Sequence, residues 1–235
     1  MPAEIRYVSK VGKDAWLRVK LDDGSEVSLP QFLKVNFKGT SGGRDAFEIL
    51  EGPNKGKSAS VARKSTSESY LVPGIHQLPA GLIRFNLARQ SLTYGSSGPV
   101  MAFSGAFDIY TQVPKGRYLL AIPDAPHSAT RAGYYAFTDY HKTWFRIGIS
   151  TSGSRYLHVG EISEGCVTVR AFVPDATGPA RPGFDDLPGL QKSTPGALGF
   201  PLPAKLPPVG SWDAIYMYLI NRRQDDQSVG SLIVE

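Results

Sequence analysis

Short runs that alternate apolar and polar residues occupy the first part of the chain. The run 15–21 alternates in this way, and an Asp-Asp-Gly-Ser turn at 22–25 joins it to a second run, 26–29. Asp-Gly between two such runs is a strong β-hairpin signal, because tight hairpin turns need the left-handed backbone that glycine adopts. This pattern predicts a small N-terminal β barrel or sandwich, SH3-like, within residues 1–72. Similar short runs follow at 32–37, 46–50 and 58–62.

A polar stretch followed by prolines separates this part from a second one. Residues 64–69 are polar, and Pro73-Gly74 and Pro79 come after them. Such punctuation predicts a domain boundary near 66–79 and a second domain over 79–235. Strand-like patterns then continue as far as Val173, so the fold class predicted for the whole chain is mainly β.

The last part of the chain contains a segment rich in proline and glycine, then a helix and a strand. Residues 174–210 hold so many prolines and glycines that they cannot pair as a central strand. A loop of that length predicts a cover over a site or a mobile flap. Ser211 is a suitable N-cap for a helix over 212–223, and residues 229–234 form a strand pattern at the end.

Cys166, the only cysteine of the chain, lies where a turn enters a strand. It cannot form a disulfide within the chain, so it is buried filler, an incidental thiol or a nucleophile. Gly165 leaves little bulk beside the sulfur and brings a backbone N–H close to it. Residues 167–173 are rich in β-branched side chains and predict a strand. The surroundings favour a nucleophile over filler.

His158 ends a second short strand, 154–158, shortly before Cys166. Two strands with a short glycine-containing connection are expected to form a hairpin, which would bring the imidazole near the thiol. An imidazole that takes the thiol proton yields a thiolate that attacks an acyl carbon, and the N–H groups of Gly165 and Cys166 would hold the oxyanion. The pattern therefore predicts acyl transfer through a thioester. The alternative for His158 is a strand-end histidine bonded only to backbone.

The order of these residues resembles a known catalytic domain. His158 followed by Ser163-Glu164-Gly165-Cys166-Val167 is similar to the L,D-transpeptidase (YkuD-like) family, whose signature is His-Gly and then Ser-His-Gly-Cys. Residues 85–94 resemble its opening strand pair, and Gly105 with 113–118 resembles its Gly…Thr-Pro-x-Gly-x-Tyr segment. The resemblance covers about residues 80–175 and implies an L,D-transpeptidase-like β-sandwich domain with a C-terminal helix.

The resemblance also implies roles for individual residues. Cys166 would be the nucleophile and His158 the general base, while Ser163 and Gly165 would shape the oxyanion site. The backbone carbonyl of Val159 would orient the imidazole of His158.

Three departures from the family pattern stand out. The interval between His158 and Cys166 is shorter than in most members, Glu164 replaces a second histidine, and Thr168 replaces an arginine. In a regular strand Arg170 shares a face with Cys166, so it is a candidate to replace that arginine in substrate binding. A carboxylate beside the thiol opposes thiolate formation, and Glu164 is therefore expected to turn away into solvent.

Further polar and aromatic residues are candidates to line a substrate cleft, namely Tyr134, Tyr135 and His127. Ordinary surface-loop polarity is the alternative for His127 and the expectation for His141. The spacings among the histidines and Cys166 match no compact zinc-ligand pattern, so no metal and no other cofactor is expected.

The net charge of the chain indicates which classes of molecule it binds. The chain carries 26 basic and 21 acidic residues, a formal charge of +5, which favours anionic partners such as peptidoglycan. The basic residues are scattered and no aromatic RNA-binding pattern accompanies them, so nucleic acid is not expected. No stretch approaches the roughly 18 consecutive apolar residues that a membrane-spanning helix needs, so no membrane span is expected.

Two classes of function remain open. One is an acyl-transfer enzyme that crosslinks, exchanges or trims peptidoglycan stem peptides, and the other is a cell-wall or protein-binding module that keeps only the fold. The first residues lack the basic and apolar regions of a signal peptide. We therefore expect synthesis in the cytoplasm and non-Sec delivery to the periplasm or cell wall, as for a wall-targeting toxin with a secretion or immunity protein as partner.

Overall fold

The computed structural model shows a mainly β protein with a helix near the end of the chain, which confirms the predicted fold class. The structure describes residues 4–9, 11, 14–74, 78–105, 111–127, 138–148, 155–160, 163, 165–170, 211–224 and 226–235. The proline- and glycine-rich segment 174–210, predicted as a cover or flap, lies outside the described residues.

The first part of the chain forms one antiparallel sheet of seven strands, in the order β3-β2-β6-β5-β4-β1-β7. The predicted hairpin is confirmed: β2 and β3 pair antiparallel, and Gly24 in their turn has a φ of +86°. Apolar residues on alternate positions, among them Val19, Val35 and Phe47, form the core of this sheet. The strands are β1 (Glu4–Val8), β2 (Trp16–Leu21), β3 (Glu26–Pro30), β4 (Lys34–Ser41), β5 (Arg44–Ile49), β6 (Ser58–Ala62) and β7 (Leu71–Val72).

The second part forms a closed eight-stranded barrel, in the order β10-β14-β13-β12-β11-β15-β8-β9, with β9 paired to β10. The family-like strand pair at 85–94 corresponds to β8 and β9, which pair antiparallel. The elements are β8 (Gly81–Asn86), β9 (Ser91–Tyr94), β10 (Val100–Phe103), β11 (Gly116–Ala121), β12 (Phe145–Ile147), β13 (Arg155–Gly160), β14 (Val167–Arg170), α1 (Ser211–Ile220) and β15 (Ser228–Val234).

Helix α1 packs against the apolar side chains of the barrel strands. It ends at Ile220, earlier than the predicted 223, and the guanidinium of Arg222 donates to the carbonyl of Tyr218 at 2.9 Å. The last strand, β15, agrees with its prediction and pairs parallel with β8. There a Cβ on Gly230 would lie 2.2 Å from the carbonyl oxygen of Gly81, so this close strand contact requires glycine. The helix residues in the barrel core are Trp212, Ile215, Tyr216, Leu219 and Ile220.

The two sheets contact each other through buried groups. Ala15 and Trp16 precede or begin β2, yet they belong to the apolar core of the barrel. Arg223, just after α1, forms an ion pair of 2.5 Å with Glu51 of the first sheet, and both side chains are buried. The strands of the first sheet end at Val72 and those of the barrel begin at Gly81. The domain boundary between them stays a prediction.

The pairing of β13 with β14 corrects one expectation. These strands were expected to form an antiparallel hairpin, but they run parallel, with His158 beside Thr168 and Leu157 beside Val167. The antiparallel neighbours of β14 and β13 are β10 and β12. The short connection therefore returns the chain to the starting end of β13, where β14 begins.

Candidate active site

His158 faces away from the barrel core. Its neighbours Leu157 and Val159 belong to that core, and alternation along β13 directs His158 to the opposite face. Even there only 4% of the residue is exposed. Its partner in the register, Thr168 on β14, is fully buried. The imidazole is therefore shielded from bulk water.

Two hydrogen bonds fix the tautomer of His158. Nδ1 lies 2.8 Å from the carbonyl oxygen of Val159, and Nε2 lies 3.0 Å from Oγ1 of Thr168. A carbonyl can only accept, so Nδ1 carries the proton and Nε2 accepts from the Thr168 hydroxyl. The contact with Val159 is the one that the family resemblance implies for the histidine. The Nε2 lone pair, which a base must use, is presented beside β14.

The ring of His158 is also held by stacking. Trp144 lies between two imidazoles: its ring centroid is 4.0 Å from that of His158 and 3.6 Å from that of His127, with interplanar angles of 16° and 10°. The indole Nε1 of Trp144 donates to the carbonyl of His141 at 3.1 Å. Three parallel rings in contact leave the imidazole of His158 little freedom to rotate.

Burial makes His158 a neutral residue at physiological pH. Removal of the ring from water lowers its pKa from 6.5 to about 4. The hydrogen bond to Val159 opposes this shift, and the nearby His127 adds to it. An imidazole that is unprotonated above pH 4 is ready to accept a proton, but it does not form a stable imidazolium.

Cys166 directly precedes β14 and lies two residues before Thr168, the register partner of His158. Val167 and Val169 belong to the barrel core, so Thr168 faces outward and bonds His158. Cys166 is 8% exposed, and it does not belong to the apolar core of the barrel.

The turn before Cys166 is held by hydrogen bonds within the protein. Oγ of Ser163 donates to the carbonyl of Cys166 at 2.6 Å, and N–H of Gly165 donates to the carbonyl of Gly105 at 3.0 Å. Gly165 has a φ of +73°, which favours glycine. At Gly105 a Cβ would lie 2.7 Å from the carbonyl oxygen of Ser163. Ser163 and Gly165 therefore shape the turn, but the Gly165 N–H is directed at Gly105 and not at an oxyanion, which corrects its expected role as a donor.

The first sheet contacts the segment that carries Trp144. Nε1 of Trp16 donates to Oγ1 of Thr143 at 3.1 Å, and Nζ of Lys142 pairs with Asp14 at 2.7 Å. Both contacts fall on residues directly before Trp144 in the chain. The first sheet thus helps to place the indole against which His158 stacks.

A cleft opens beside this site. It has a volume of about 310 Å³, and His127 and Tyr156 link it to the ring stack. Tyr156 precedes His158 by two residues on the outward face of β13. We call it the Arg146 cleft, after the arginine of β12 that lines it together with Pro123, Asp124, Ala125, Pro126, His127 and Tyr156.

The other candidate residues divide into two groups. His127 lies in the cleft and in the ring stack. His141, expected to be a surface-loop residue, is instead buried, and its Nδ1 lies 3.1 Å from the carbonyl of Thr138. Tyr134, Tyr135 and Glu164 lie outside the described residues, as does the side chain of Arg170. Within the described part of the chain, no group of three His, Cys, Asp or Glu side chains is arranged to hold a metal ion. No helix in that part is long and apolar enough to cross a membrane.

Four residues of the site were not identified as functional from the sequence: Trp144, Arg146, Tyr156 and Thr168. Thr168 was noted only as a departure from the family pattern. Its position two residues after Cys166 placed it on the same strand face, and that signal was sufficient to suggest a contact with the base. Trp144 and Arg146 reach the site through the pairing of β12 with β13, which local sequence does not reveal.

Replacement of Thr168 by valine tests the hydrogen bond to His158. The variant keeps the side-chain shape but leaves the buried Nε2 without its donor, so we expect the free energy of unfolding to fall by about 1–3 kcal/mol at pH 7. The pKa of His158 should rise, because the lost bond stabilised the neutral ring. Urea denaturation and NMR titration of the imidazole measure the two effects.

Thr93→Val is the matched control, because Thr93 is a half-buried strand residue with no side-chain hydrogen bond among the described residues. Its free energy of unfolding should change by less than about 0.5 kcal/mol. Equal effects of the two substitutions would contradict the assigned bond.

No protein-family model matches this chain, and no curated protein matches it. Among solved structures, an L,D-transpeptidase from Mycobacterium tuberculosis H37Rv is similar in its general fold. The two chains share 13% identity with a TM-score of 0.32, and the match covers 92% of this chain and 79% of that chain. This is a weak resemblance of the fold.

Proposed function

We propose that this protein is a cysteine-dependent acyl-transfer enzyme of the L,D-transpeptidase type that acts on peptidoglycan stem peptides. The observation that carries the proposal is the neutral imidazole of His158, oriented by the Val159 carbonyl and bonded to Thr168, two residues after Cys166. Nucleophile, base and orienting group are the parts that thiol acyl transfer requires. The order of His158, Ser163, Gly165 and Cys166, which resembles the family signature, supports the substrate class.

The proposed reaction has two steps, acylation of Cys166 and transfer of the acyl group to an acceptor. The sulfur of Cys166 attacks the carbonyl carbon of a peptide bond, and the thiol proton passes to Nε2 of His158. For this transfer the Thr168 hydroxyl either rotates away from Nε2 or relays the proton. His158 then protonates the leaving amine as the C–N bond breaks, which leaves a thioester on Cys166. An acceptor amine or water then attacks the thioester and gives a proton to His158, and as the C–S bond breaks His158 passes that proton to the sulfur of Cys166.

Burial of the site has a chemical purpose in this proposal. A desolvated neutral imidazole accepts the proton only as the new bond to the acyl carbon forms, since its imidazolium form is disfavoured. The reaction therefore needs no stable thiolate in the resting enzyme. Exclusion of water around the thioester also favours an amine acceptor over hydrolysis.

Mass spectrometry of muropeptides tests the proposal. Purified protein incubated with tetrapeptide muropeptides should yield crosslinked, exchanged or trimmed products, which differ in mass, and intact-protein spectra should show an acyl adduct. Cys166→Ala should abolish both the products and the adduct, because no other thiol is present in the chain. Circular dichroism of the variant controls for folding.

Two observations favour a second candidate, a binding module without chemistry. The Thr168 hydroxyl occupies Nε2 of His158, and Cys166 is only 8% exposed. For such a module, wild type and Cys166→Ala would sediment with peptidoglycan sacculi to the same extent and leave the muropeptides unchanged. If the wild type converts muropeptides and Cys166→Ala does not, the protein is an enzyme and not a binding module.

A further inference from the structure

The indole of the ring stack directly follows two residues that the first sheet holds. Nζ of Lys142 pairs with Asp14 at 2.7 Å, and Oγ1 of Thr143 accepts a hydrogen bond from Nε1 of Trp16 at 3.1 Å. Thr143 is buried, so loss of this hydrogen bond is not replaced by water. Trp144 is the next residue of the chain. A shift of the backbone at either contact therefore moves its ring.

The chain adopts an unfavourable backbone conformation just before Trp16. Asp14 and Ala15 have φ of +80° and +64°, and this left-handed region is uncommon for residues other than glycine. The turn directs Trp16 into the barrel core, whereas Leu17 and Val19 of the same strand belong to the core of the first sheet. Such strain persists where surrounding contacts impose it, and it concentrates at functional sites. The placement of Trp16 is therefore a candidate functional feature.

Helix α1 holds the other end of the same segment, residues 138–144. Nε1 of Trp212 donates to the carbonyl of Tyr140 at 3.1 Å, and the ring of Tyr140 stacks on that of Tyr216 at a centroid distance of 3.9 Å. Among the described residues, the side-chain contacts from α1 end at Tyr140, and those from the first sheet begin at Lys142. The first sheet, rather than α1, therefore holds the residues next to the indole.

Lys142 also places the second imidazole of the ring stack. The backbone N–H of His127 donates to the carbonyl of Lys142 at 2.9 Å. His127 covers one face of Trp144 and His158 covers the other, with centroid distances of 3.6 Å and 4.0 Å. The residue that pairs with Asp14 thus supports the indole on the face opposite His158 as well.

The orientation of the His158 ring depends on this packing. The ring torsion of histidine has only a broad preference of its own, so neighbouring groups decide which nitrogen faces which partner. His158 serves as a base only while Nδ1 donates to the carbonyl of Val159 and Nε2 keeps its lone pair. Displacement of the stacked Trp144 frees the ring to turn and admits water beside it.

We propose that the first sheet supplies two positioning residues, Trp16 and Asp14, which keep His158 in its catalytic orientation by fixing the stacked indole. Both act through the segment that ends at Trp144. The inference rests on the proposed function for the role of His158 as a base. It goes further by making the first sheet a part of the active site instead of a separate binding module.

Trp16→Phe in the full-length protein tests this proposal. Phenylalanine keeps an aromatic ring in the barrel core but removes the N–H that bonds Thr143. NMR titration of the ¹⁵N-labelled imidazole of His158 should show a pKa that rises from about 4 by about one pH unit, since water then reaches the ring. The proportion of the Nδ1-protonated tautomer should fall. With muropeptide substrate, kcat should fall about 10-fold or more while KM stays unchanged.

Variants of the ion pair test the second positioning residue. Asp14→Asn removes the charge, and asparagine tolerates the left-handed backbone as aspartate does, so the pKa of His158 should rise without added strain. Lys142→Arg keeps the positive charge and should raise that pKa less than Lys142→Met does. If Trp16→Phe does not fold, the Asp14→Asn result decides the proposal.

A double-mutant cycle tests the proposed route through the hydrogen bond. Trp16→Phe and Thr143→Val remove its two partners, so the pKa of His158 in the double variant should equal that in either single variant. Shifts that simply add would show that Trp16 acts on His158 by another route, and this would overturn the assignment.

Val19→Ala is the matched control for loss of stability. Val19 lies on the same strand as Trp16, but it belongs to the core of the first sheet. Urea denaturation should show that Val19→Ala destabilises the protein, while the pKa and tautomer of His158 stay as in the wild type. If Trp16→Phe and Asp14→Asn also lower stability and leave His158 unchanged, their role is structural and the inference is wrong.

The outcomes separate this inference from the proposed function. A change at His158 in Trp16→Phe supports the positioning role even if the wild type leaves muropeptides unaltered, in which case only the chemistry is wrong. Turnover by the wild type that Trp16→Phe and Asp14→Asn retain in full, with His158 unchanged, overturns the positioning role and leaves the enzyme assignment intact.

Discussion

Replacement of Glu51 by alanine is expected to lower the free energy of unfolding by about 3–5 kcal/mol, because it removes a buried carboxylate that pairs with the buried guanidinium of Arg223. Arg223 is 2% exposed and Glu51 7%. An arginine cannot discharge by losing its proton, so the cost appears as lost stability. The ion pair also joins the first sheet to the segment after α1, so its loss weakens the contact between the two sheets.

Urea denaturation measures this effect, and Glu48→Ala provides the matched control. Glu48 pairs with Lys38 at 3.2 Å, but both side chains are about a third or more exposed. Pairs of that kind contribute about 0–1 kcal/mol. If Glu51→Ala costs no more than Glu48→Ala, the Glu51–Arg223 pair does not stabilise the fold as described.

Acidification from pH 7 to pH 4 is expected to destabilise the wild type by about 3 kcal/mol through His158 alone. The pKa of His158 is lowered from 6.5 to about 4 in the folded protein. Between these values the unfolded chain binds a proton that the folded chain does not, so the stability from this residue is present above pH 6.5. It is lost as the pH falls toward 4.

Denaturation of the wild type and of His158→Gln at several pH values measures this contribution. The stability of the variant should fall less over the same window, since glutamine does not titrate. His127→Gln is a useful comparison, because burial also lowers the pKa of His127 but its ring lines an open cleft. Parallel stability curves for the wild type and His158→Gln would contradict the neutral, buried state of His158.

The same pKa predicts the shape of the rate profile. A thiolate acting without a base loses reactivity tenfold per pH unit below the ordinary thiol pKa of about 8.5. If a neutral His158 takes the proton in the transition state, kcat/KM stays level down to about pH 5 and falls only near the imidazole pKa of about 4. The acid limb of the profile therefore reports on the base directly.

Local pattern in the sequence was sufficient to predict most of the strands. Alternation predicted the hairpin of β2 and β3, and the β-branched run after Cys166 predicted β14. The parallel pairing of β13 and β14 was not predictable in this way, because a short connection normally joins antiparallel strands. Here β10 pairs antiparallel with β14 and leaves β13 on its other edge, which is a long-range arrangement.

The sequence also does not predict which of the two apolar cores a given side chain joins. Trp16 lies on the face of β2 that carries the exposed Arg18 and Lys20, so the alternation of the strand does not show that it is buried or which core receives it. Its side chain packs in the barrel core and bonds Thr143. The ring stack on His158 is also not predictable from local sequence, because Trp144 and His127 become neighbours of His158 only when the barrel closes. Features built from distant segments depend on topology, which local periodicity does not encode.

The position of β15 between β8 and β11 affects how the protein is made. Residues 81–86 and 116–121 leave the ribosome long before residues 228–234, and until then both neighbouring strands have an open edge. All seven strands of the first sheet are synthesised earlier and can pair while translation continues. The nascent barrel, with unpaired edges and apolar faces, is therefore the part of the chain most exposed to aggregation during synthesis, and it closes only after its final strand is released.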